Sequence, residues 1–392
     1  MKRLLPFLLL TLTLLFSLRA AYGSEDVPET VPPSPEVQAQ IEAALWQAIA
    51  EYREDVMAFL IFEVQIEKIQ LSKDGAWGLI WLNLADPQTH QVIPTEPGLV
   101  VARLIEGKWR AILQADPEWE RSLAALPSSL MPEENKWIWL QRLAENRPSQ
   151  TPQALGGYLL PWAAGQVRVL TRSISHGGTG FYAFDFADYY INDTKWPIYA
   201  SKGGAVHLVV WTYPDGFDDG SCAHSNYVVL KDTTTNPITY QLYLHMSYDT
   251  VPEELRTIGA PVLQGQYIGK VDDTGCSTGD HLHFHVHTSP YSYWGTALDI
   301  TFDDVDINGG RPRTPAEAAG TGEQGRTEYT SQNVIRDDVT APTGGLLTPQ
   351  TGAAPERAPR ADGSSLSRAD SDVLTSVLKQ EHPQIIAAVL AG

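Results

Sequence analysis

Apolar residues in the first third of the chain follow two successive periods. In VQAQIEAALWQAIAEYREDVMAFLIF, residues Ile41, Leu45, Ile49, Tyr52 and Val56 recur every three or four positions, the spacing of one helical face. The period then shortens. VQIEKIQL (Val64 to Leu71) and WGLIWLNL (Trp77 to Leu84) are rich in β-branched and aromatic residues and predict strands. GLVVARLIEGKWRAIL predicts a hairpin turning at Glu106-Gly107. A helix followed by a meander makes a small α+β domain over residues 24–150, which opens with a Pro-, Glu- and Ser-rich leader from Ser24 to Pro35. Its polar loop DPQTHQVIPTEPG carries a lone His90, expected to be solvated, and the domain shows no constellation of acids, bases or nucleophiles.

From about Gly156 the texture changes. Short β-rich segments (QVRVLT, YAFDFA, AVHLVVWTY, NYVVLKD, TYQLYLHM, PVLQGQYIGKV, HLHFHVHT) alternate with Gly, Asp, Asn and Pro turns. That pattern predicts an all-β domain over residues 155–306. After Asn308-Gly309-Gly310 large apolar residues become scarce, so residues 307–392 are expected to form a flexible tail. Val373, Leu374, Val377 and Leu378 hint at a short helix there, broken at Pro383.

Composition narrows the class. With 43% hydrophobic and 19% charged residues, the 392-residue chain has the apolar mass for real cores and the length for two or three domains. Lys+Arg 28 against Asp+Glu 47 gives a net charge of −19, which repels phosphate backbones and anionic membranes. Nucleic acid is thereby excluded as a partner. The opening MKRLLPFLLLTLTLLFSLRAAYGSED has a basic start at Lys2 and Arg3, an apolar run from Leu4 to Leu18, and small-x-small Ala21-Tyr22-Gly23. It reads as a cleaved secretory signal over residues 1–23, too short and too interrupted to span a membrane. A secreted, extracytoplasmic protein is expected, without membrane attachment after cleavage. In that setting Cys222 and Cys276, neither part of a CxxC, are expected to form a disulfide.

The candidate chemistry lies in the histidines, eight of ten of which fall between His176 and His287. In TGDHLHFHVHT, His281, His283, His285 and His287 alternate with Leu282, Phe284 and Val286. On a strand all four imidazoles face one way and the apolar residues face a core. Imidazole is a leading metal ligand, so a metal site is favoured over a bare polar face. Further donors are available from His176 and Asp185 in SHGGTGFYAFDFAD and from His245 in YLHMS. His207, among valines and leucines, reads as a satisfied sheet residue, Asp188 as solvated, and His224, in a turn beside Cys222, as either near the cleft or solvated.

YAFDFA, LYLHM, PVLQGQYIGKV and TGCSTGDHLHFHVH, in that order, resemble the lysostaphin-like (LytM-type) zinc endopeptidases over about residues 155–290. The resemblance implies an antiparallel, open-sandwich catalytic domain binding one Zn²⁺ per chain. It implies His176, Asp185 and His283 as metal ligands, with His245 and His281 flanking the water to be activated. The GCSTG loop (Gly275 to Gly279) would shape the cleft floor, His285 would support a ligand, and His287 would be a polar edge residue. Eight residues separate His176 from Asp185 where the family usually has three, and Gly177, Gly178 and Gly180 give the insert a tight return path. The implied activity is zinc-dependent hydrolysis of peptide bonds in bacterial peptidoglycan. Some lysostaphin-like domains have lost ligands and serve as non-catalytic wall-binding or regulatory modules, but all five positions are filled here. The cupin alternative fails because the next glutamate after His283 is Glu317, and no GxSxG motif supports a serine hydrolase.

Overall fold

The computed structural model describes residues 30–141, 154–188, 195–319 and 321–336. The expected secretory signal and short C-terminal helix lie outside these residues. The described residues all fall in one unit, Met1–Val339. None of their helices is long and apolar enough to cross a membrane.

The helical stretch divides into α1 (Pro35–Glu51) and α2 (Met57–Ile61). Ser34 caps α1 by accepting from the Val37 amide at 3.4 Å. Four antiparallel strands follow in sequential order: β1 (Glu63–Leu71), β2 (Trp77–Ala85), β3 (Gly98–Ile105) and β4 (Lys108–Ile112). The β3–β4 turn falls at Glu106-Gly107 as predicted. Both residues have positive φ, 50° and 78°, as a two-residue hairpin turn of matching twist requires.

β2 and β3 read as nearly continuous apolar runs because both faces of this sheet are covered. On one side Ile41 and Leu45 of α1 pack on Ile80, Leu82, Val100 and Ala102. On the other, Leu79, Trp81, Leu99 and Val101 meet α3 (Trp119–Ala125), α4 (Glu133–Gln141) and the Cys222–Cys276 disulfide. The disulfide belongs to the β-rich half, so the two halves share this core.

The β-rich half is built on eight strands ordered β12-β9-β10-β11-β14-β7-β6-β16. In chain order these are β6 (Val167–Arg172), β7 (Phe184–Ala187), β9 (Gly204–Val210), β10 (Tyr227–Asp232), β11 (Thr239–Leu244), β12 (Pro261–Val262), β14 (Leu282–His287) and β16 (Glu328–Thr330). Two two-stranded ribbons flank it: β5 (Leu155–Tyr158) with β15 (Ile300–Phe302), and β8 (Pro197–Tyr199) with β13 (Tyr267–Lys270). One face of the large sheet carries Phe184, Phe186, Leu282, Phe284 and Val286 into a core with Trp162, Trp196 and Phe302. The opposite face presents Asp185 and the histidines.

Sequence texture places the tail's start at residue 307, yet the chain stays packed through residue 336. β16 pairs with the edge strand β6, and α5 (Pro315–Ala318) is closed by a capping box between Thr314 and Glu317. This stretch contributes single anchors, Ile307, Ala318 and Tyr329, instead of a periodic apolar run. Low hydrophobicity therefore hides its order.

Candidate metal centre

Strand register brings the predicted residues together. His283 lies opposite Asp185 on β7 on one side and opposite Leu244 on β11 on the other. His245 follows Leu244 directly and takes a positive φ of 61°, which turns the chain out of the strand beside His281. The His245 and His281 rings stand 4.6 Å apart. His176 arrives from a 3₁₀ turn, Ile174–His176, and the Gly177–Gly180 segment folds the insert back so that its ring meets β7. Glu317 of α5 fixes that turn, accepting from the Ser173 amide at 2.7 Å, the Ser175 amide at 3.1 Å and the Ser175 hydroxyl at 2.6 Å.

Asp185 is fully buried. Its Oδ2 lies 2.9 Å from His176 Nε2, and its Oδ1 lies 3.0 Å from His283 Nδ1 and 3.8 Å from His281 Nε2. His176 donates from Nδ1 to the Ser173 carbonyl at 2.6 Å, so in its neutral form the bare Nε2 faces carboxylate oxygen. A lone pair aimed at an anion calls for a cation between them, either a proton or a metal. Burial alone would push the His176 imidazole down; the Asp185 carboxylate overrides this and raises it to about 9. A second-nitrogen bond to a backbone carbonyl is also the usual support for a metal-bound histidine. Two imidazoles and a carboxylate are donors suited to Zn²⁺, so the residues present fit the expected ion.

His245 and His281 stand next to this triad with the same polarity. His245 Nδ1 donates to the Thr274 carbonyl at 2.8 Å, and His281 Nδ1 to the Gly279 carbonyl at 2.9 Å. Both Nε2 atoms are buried and without a hydrogen-bond partner among the described residues. Both carbonyls come from the loop region that includes GCSTG. His285 supports a candidate ligand, its Nδ1 lying 2.8 Å from His283 Nε2.

Several peripheral expectations are settled by geometry. His287 is fully buried, stacked on Tyr240 with ring centroids 5.7 Å apart, and accepts from the Ser289 amide. It is not an edge residue, because the chain around Trp294 and Gly295 folds over the strand. His207 bonds the Pro290 carbonyl and His224 pairs with Asp219 at 2.7 Å, both away from the centre. His90 is exposed and pairs with Glu63.

The site contains one residue that sequence reasoning missed. Glu96, in the polar loop of the α+β half, reaches into the centre and touches His283 Nδ1 through Oε1. Its Oε2 lies 3.3 Å from His176 Nε2, and its Oε1 lies 3.8 Å from His245 Nε2. Glu96 thus joins two groups whose donor atoms lie within 4.8 Å of one another: His176, Asp185 and His283, and also His245 and His281. Burial opposes its charge, but the imidazole of His283, with His176 and His245 close by, holds the carboxyl well below the usual range. Its neighbour Thr95 donates to Asp185 Oδ2 at 2.6 Å.

Residues 187–295 match the model of Peptidase family M23. This segment is thus similar in sequence to the M23 peptidases. The match includes His245, His281 and His283 but begins two residues after Asp185, so His176 and Asp185 are placed by geometry. No curated protein sequence matches the chain significantly. Among solved structures, the lysostaphin catalytic domain from Staphylococcus simulans is 25% identical over 36% of this chain and 84% of that one, with a TM-score of 0.23. A zinc containing peptidase from Vibrio cholerae is 21% identical over 54% of this chain and 52% of that one, with a TM-score of 0.20. Lysostaphin from Staphylococcus simulans is 20% identical over 36% of this chain and 48% of that one, with a TM-score of 0.22. The chain thus spans about half the length of the last two.

Proposed function

We propose that the protein is an exported zinc metalloendopeptidase that hydrolyses peptide bonds of bacterial peptidoglycan. The observation that carries the reading is the convergence of His176, Asp185 and His283 beside two imidazoles with bare, inward Nε2 atoms. Zn²⁺ held by the triad would acidify a water molecule and polarise the scissile carbonyl.

The other residues supply proton handling and orientation. Donation of Nδ1–H to the Thr274 and Gly279 carbonyls fixes His245 and His281 in the tautomer whose Nε2 accepts a proton. One of them can take the proton of the attacking water and return it to the leaving amine, while the other, once protonated, donates to the developing oxyanion. His285 holds the His283 ring, and Glu317 holds the turn that bears His176. The secretory leader and the Cys222–Cys276 disulfide support an extracytoplasmic location.

The test is digestion of purified peptidoglycan with the wild-type protein and with Glu96→Ala, which removes the carboxylate from the centre. New amino termini on the peptides, abolished by a chelator and reduced about 10²–10⁴-fold by adding His281→Ala, are the expected result. Intact peptides after incubation with both proteins, each loaded with zinc, would remove this reading.

A further inference from the structure

We infer that the Cys222–Cys276 disulfide positions the two proton-handling imidazoles, His245 and His281, so that catalytic competence depends on its being oxidised while metal binding does not. This inference rests on the zinc peptidase reading and deepens it. The two cysteines are positioning residues; neither touches substrate or the reacting atoms.

The first ground is the place of Cys276 in its loop. It lies two residues after Thr274 and three before Gly279, the residues whose carbonyls aim His245 and His281. Its neighbour Ser277 meets His281 directly. The Nδ1–H of His281 is shared between the Gly279 carbonyl at 2.9 Å and the Ser277 hydroxyl oxygen at 3.1 Å, and that hydroxyl donates to the Gly279 carbonyl at 2.8 Å. A displacement of Cys276 therefore moves both aiming carbonyls at once.

The second ground is what the other cysteine holds. Cys222 is buried in the core with Trp119 and Leu130, and its carbonyl accepts from the Tyr293 hydroxyl at 2.9 Å. Asn226, four residues on, closes on the chain beside His245. Its carbonyl accepts from the Met246 amide at 3.0 Å, and its amide donates to the Thr274 hydroxyl oxygen at 3.2 Å. The Thr274 hydroxyl donates in turn to the Met246 carbonyl at 3.0 Å. Met246 is thus clamped between the segment bearing Cys222 and the loop bearing Cys276, and the disulfide is the covalent closure of that clamp. His245 needs one. Its φ of 61° is left-handed, and a residue other than glycine keeps such a backbone only where its surroundings over-determine it.

The third ground is separation from the metal ligands, which hang on other elements. His176 sits on the turn held by Glu317, while Asp185 and His283 face one another across the β7–β14 register. Their supporting hydrogen bonds go to Ser173, Thr95 and His285. Opening the clamp frees the proton-handling side and leaves the triad in place. Because such a bond forms and persists in an oxidising compartment, the imidazoles acquire their aim where the protein is expected to work.

NMR of the imidazole nitrogens in zinc-loaded protein carrying isotope-labelled histidine tests this without relying on turnover. It reads the tautomer of each ring, with His245 and His281 assigned by the signals lost in His245→Ala and His281→Ala. In the oxidised wild type both rings are expected as the single Nδ1–H tautomer. After reduction of the folded wild type with a phosphine, or in Cys222→Ala combined with Cys276→Ala, both are expected to average between tautomers, with about one zinc per chain retained. Peptidoglycan hydrolysis is expected to lose kcat by roughly 10²-fold with KM within about twofold, and reoxidation of the reduced wild type to restore it. Rings that keep the Nδ1–H tautomer in the reduced, folded protein would overturn the inference and leave the disulfide a brace of the core. Loss of zinc on reduction would overturn it as well. An oxidised, folded wild type that binds no zinc would instead overturn the zinc reading, and this inference with it, whatever the rings do.

Discussion

Each donor at the centre has its second polar atom committed elsewhere. His176 gives Nδ1–H to Ser173, His245 to Thr274 and His281 to Gly279, so their Nε2 atoms are aimed by backbone carbonyls and not by chance rotamers. Glu317 works one step further out. Burial raises the cost of its charge, but the hydroxyls and amides of Ser173 and Ser175 outweigh this and lower its pKa. A carboxyl depressed in the folded state stabilises the fold above its unfolded value, about 4.3, and that contribution is lost as pH falls through the folded value. Glu317→Gln is therefore expected to be less stable at neutral pH by on the order of 2 kcal/mol, with the gap in Tm closing below about pH 4. A gap that stays constant across that range would show that Glu317 does not act through its charge. Nothing in the sequence distinguishes Glu317, which sits in a Pro- and Gly-rich stretch, or Glu96, which sits in a polar loop. A buried acid and a surface acid look alike until the fold brings distant partners to them.

Strand β14 was legible because its function and its packing share one period. Alternation puts His283 and His285 on the site face and Phe284 and Val286 in the core, and no other assignment satisfies both sets. The Gly275–Gly279 loop stands out in the sequence for its glycines, but the reason for Gly275 does not. Gly275 has φ +86°, and a Cβ there would lie 1.7 Å from Ser225 Oγ. This close approach sets the path of the loop toward Thr278, which holds the Thr95 main chain. Gly275→Ala should destabilise the protein by at least about 1 kcal/mol in denaturant titration, through both the left-handed φ and the clash. Unchanged stability would mean that the loop tolerates another path. The single helix predicted up to Phe62 divides after Glu51, because Tyr52 and Val56 keep the apolar spacing while the chain between them turns toward α2.

At the scale of the molecule, the α+β half and the β-rich half are bound through an apolar core and a site residue. Trp119, Trp139 and Leu130 pack with the Cys222–Cys276 disulfide, and Asn135 donates to the Gly220 carbonyl at 2.7 Å. Read linearly, the halves look like independent domains because each has its own texture; the contacts between them join residues far apart in the chain. Thr95 and Asp185 are 90 positions apart, and Thr95 and Thr278 are 183 apart. Three-ligand metal binding within this assembly is the claim on which the rest depends. Bound zinc per chain, measured in the wild type and in Asp185→Ala, His283→Ala and His245→Ala, tests it most directly. The account predicts about one zinc in the wild type and in His245→Ala, and its loss on dialysis from Asp185→Ala and His283→Ala. A folded wild type without zinc, or a His245→Ala variant that loses zinc as readily as Asp185→Ala, would contradict it.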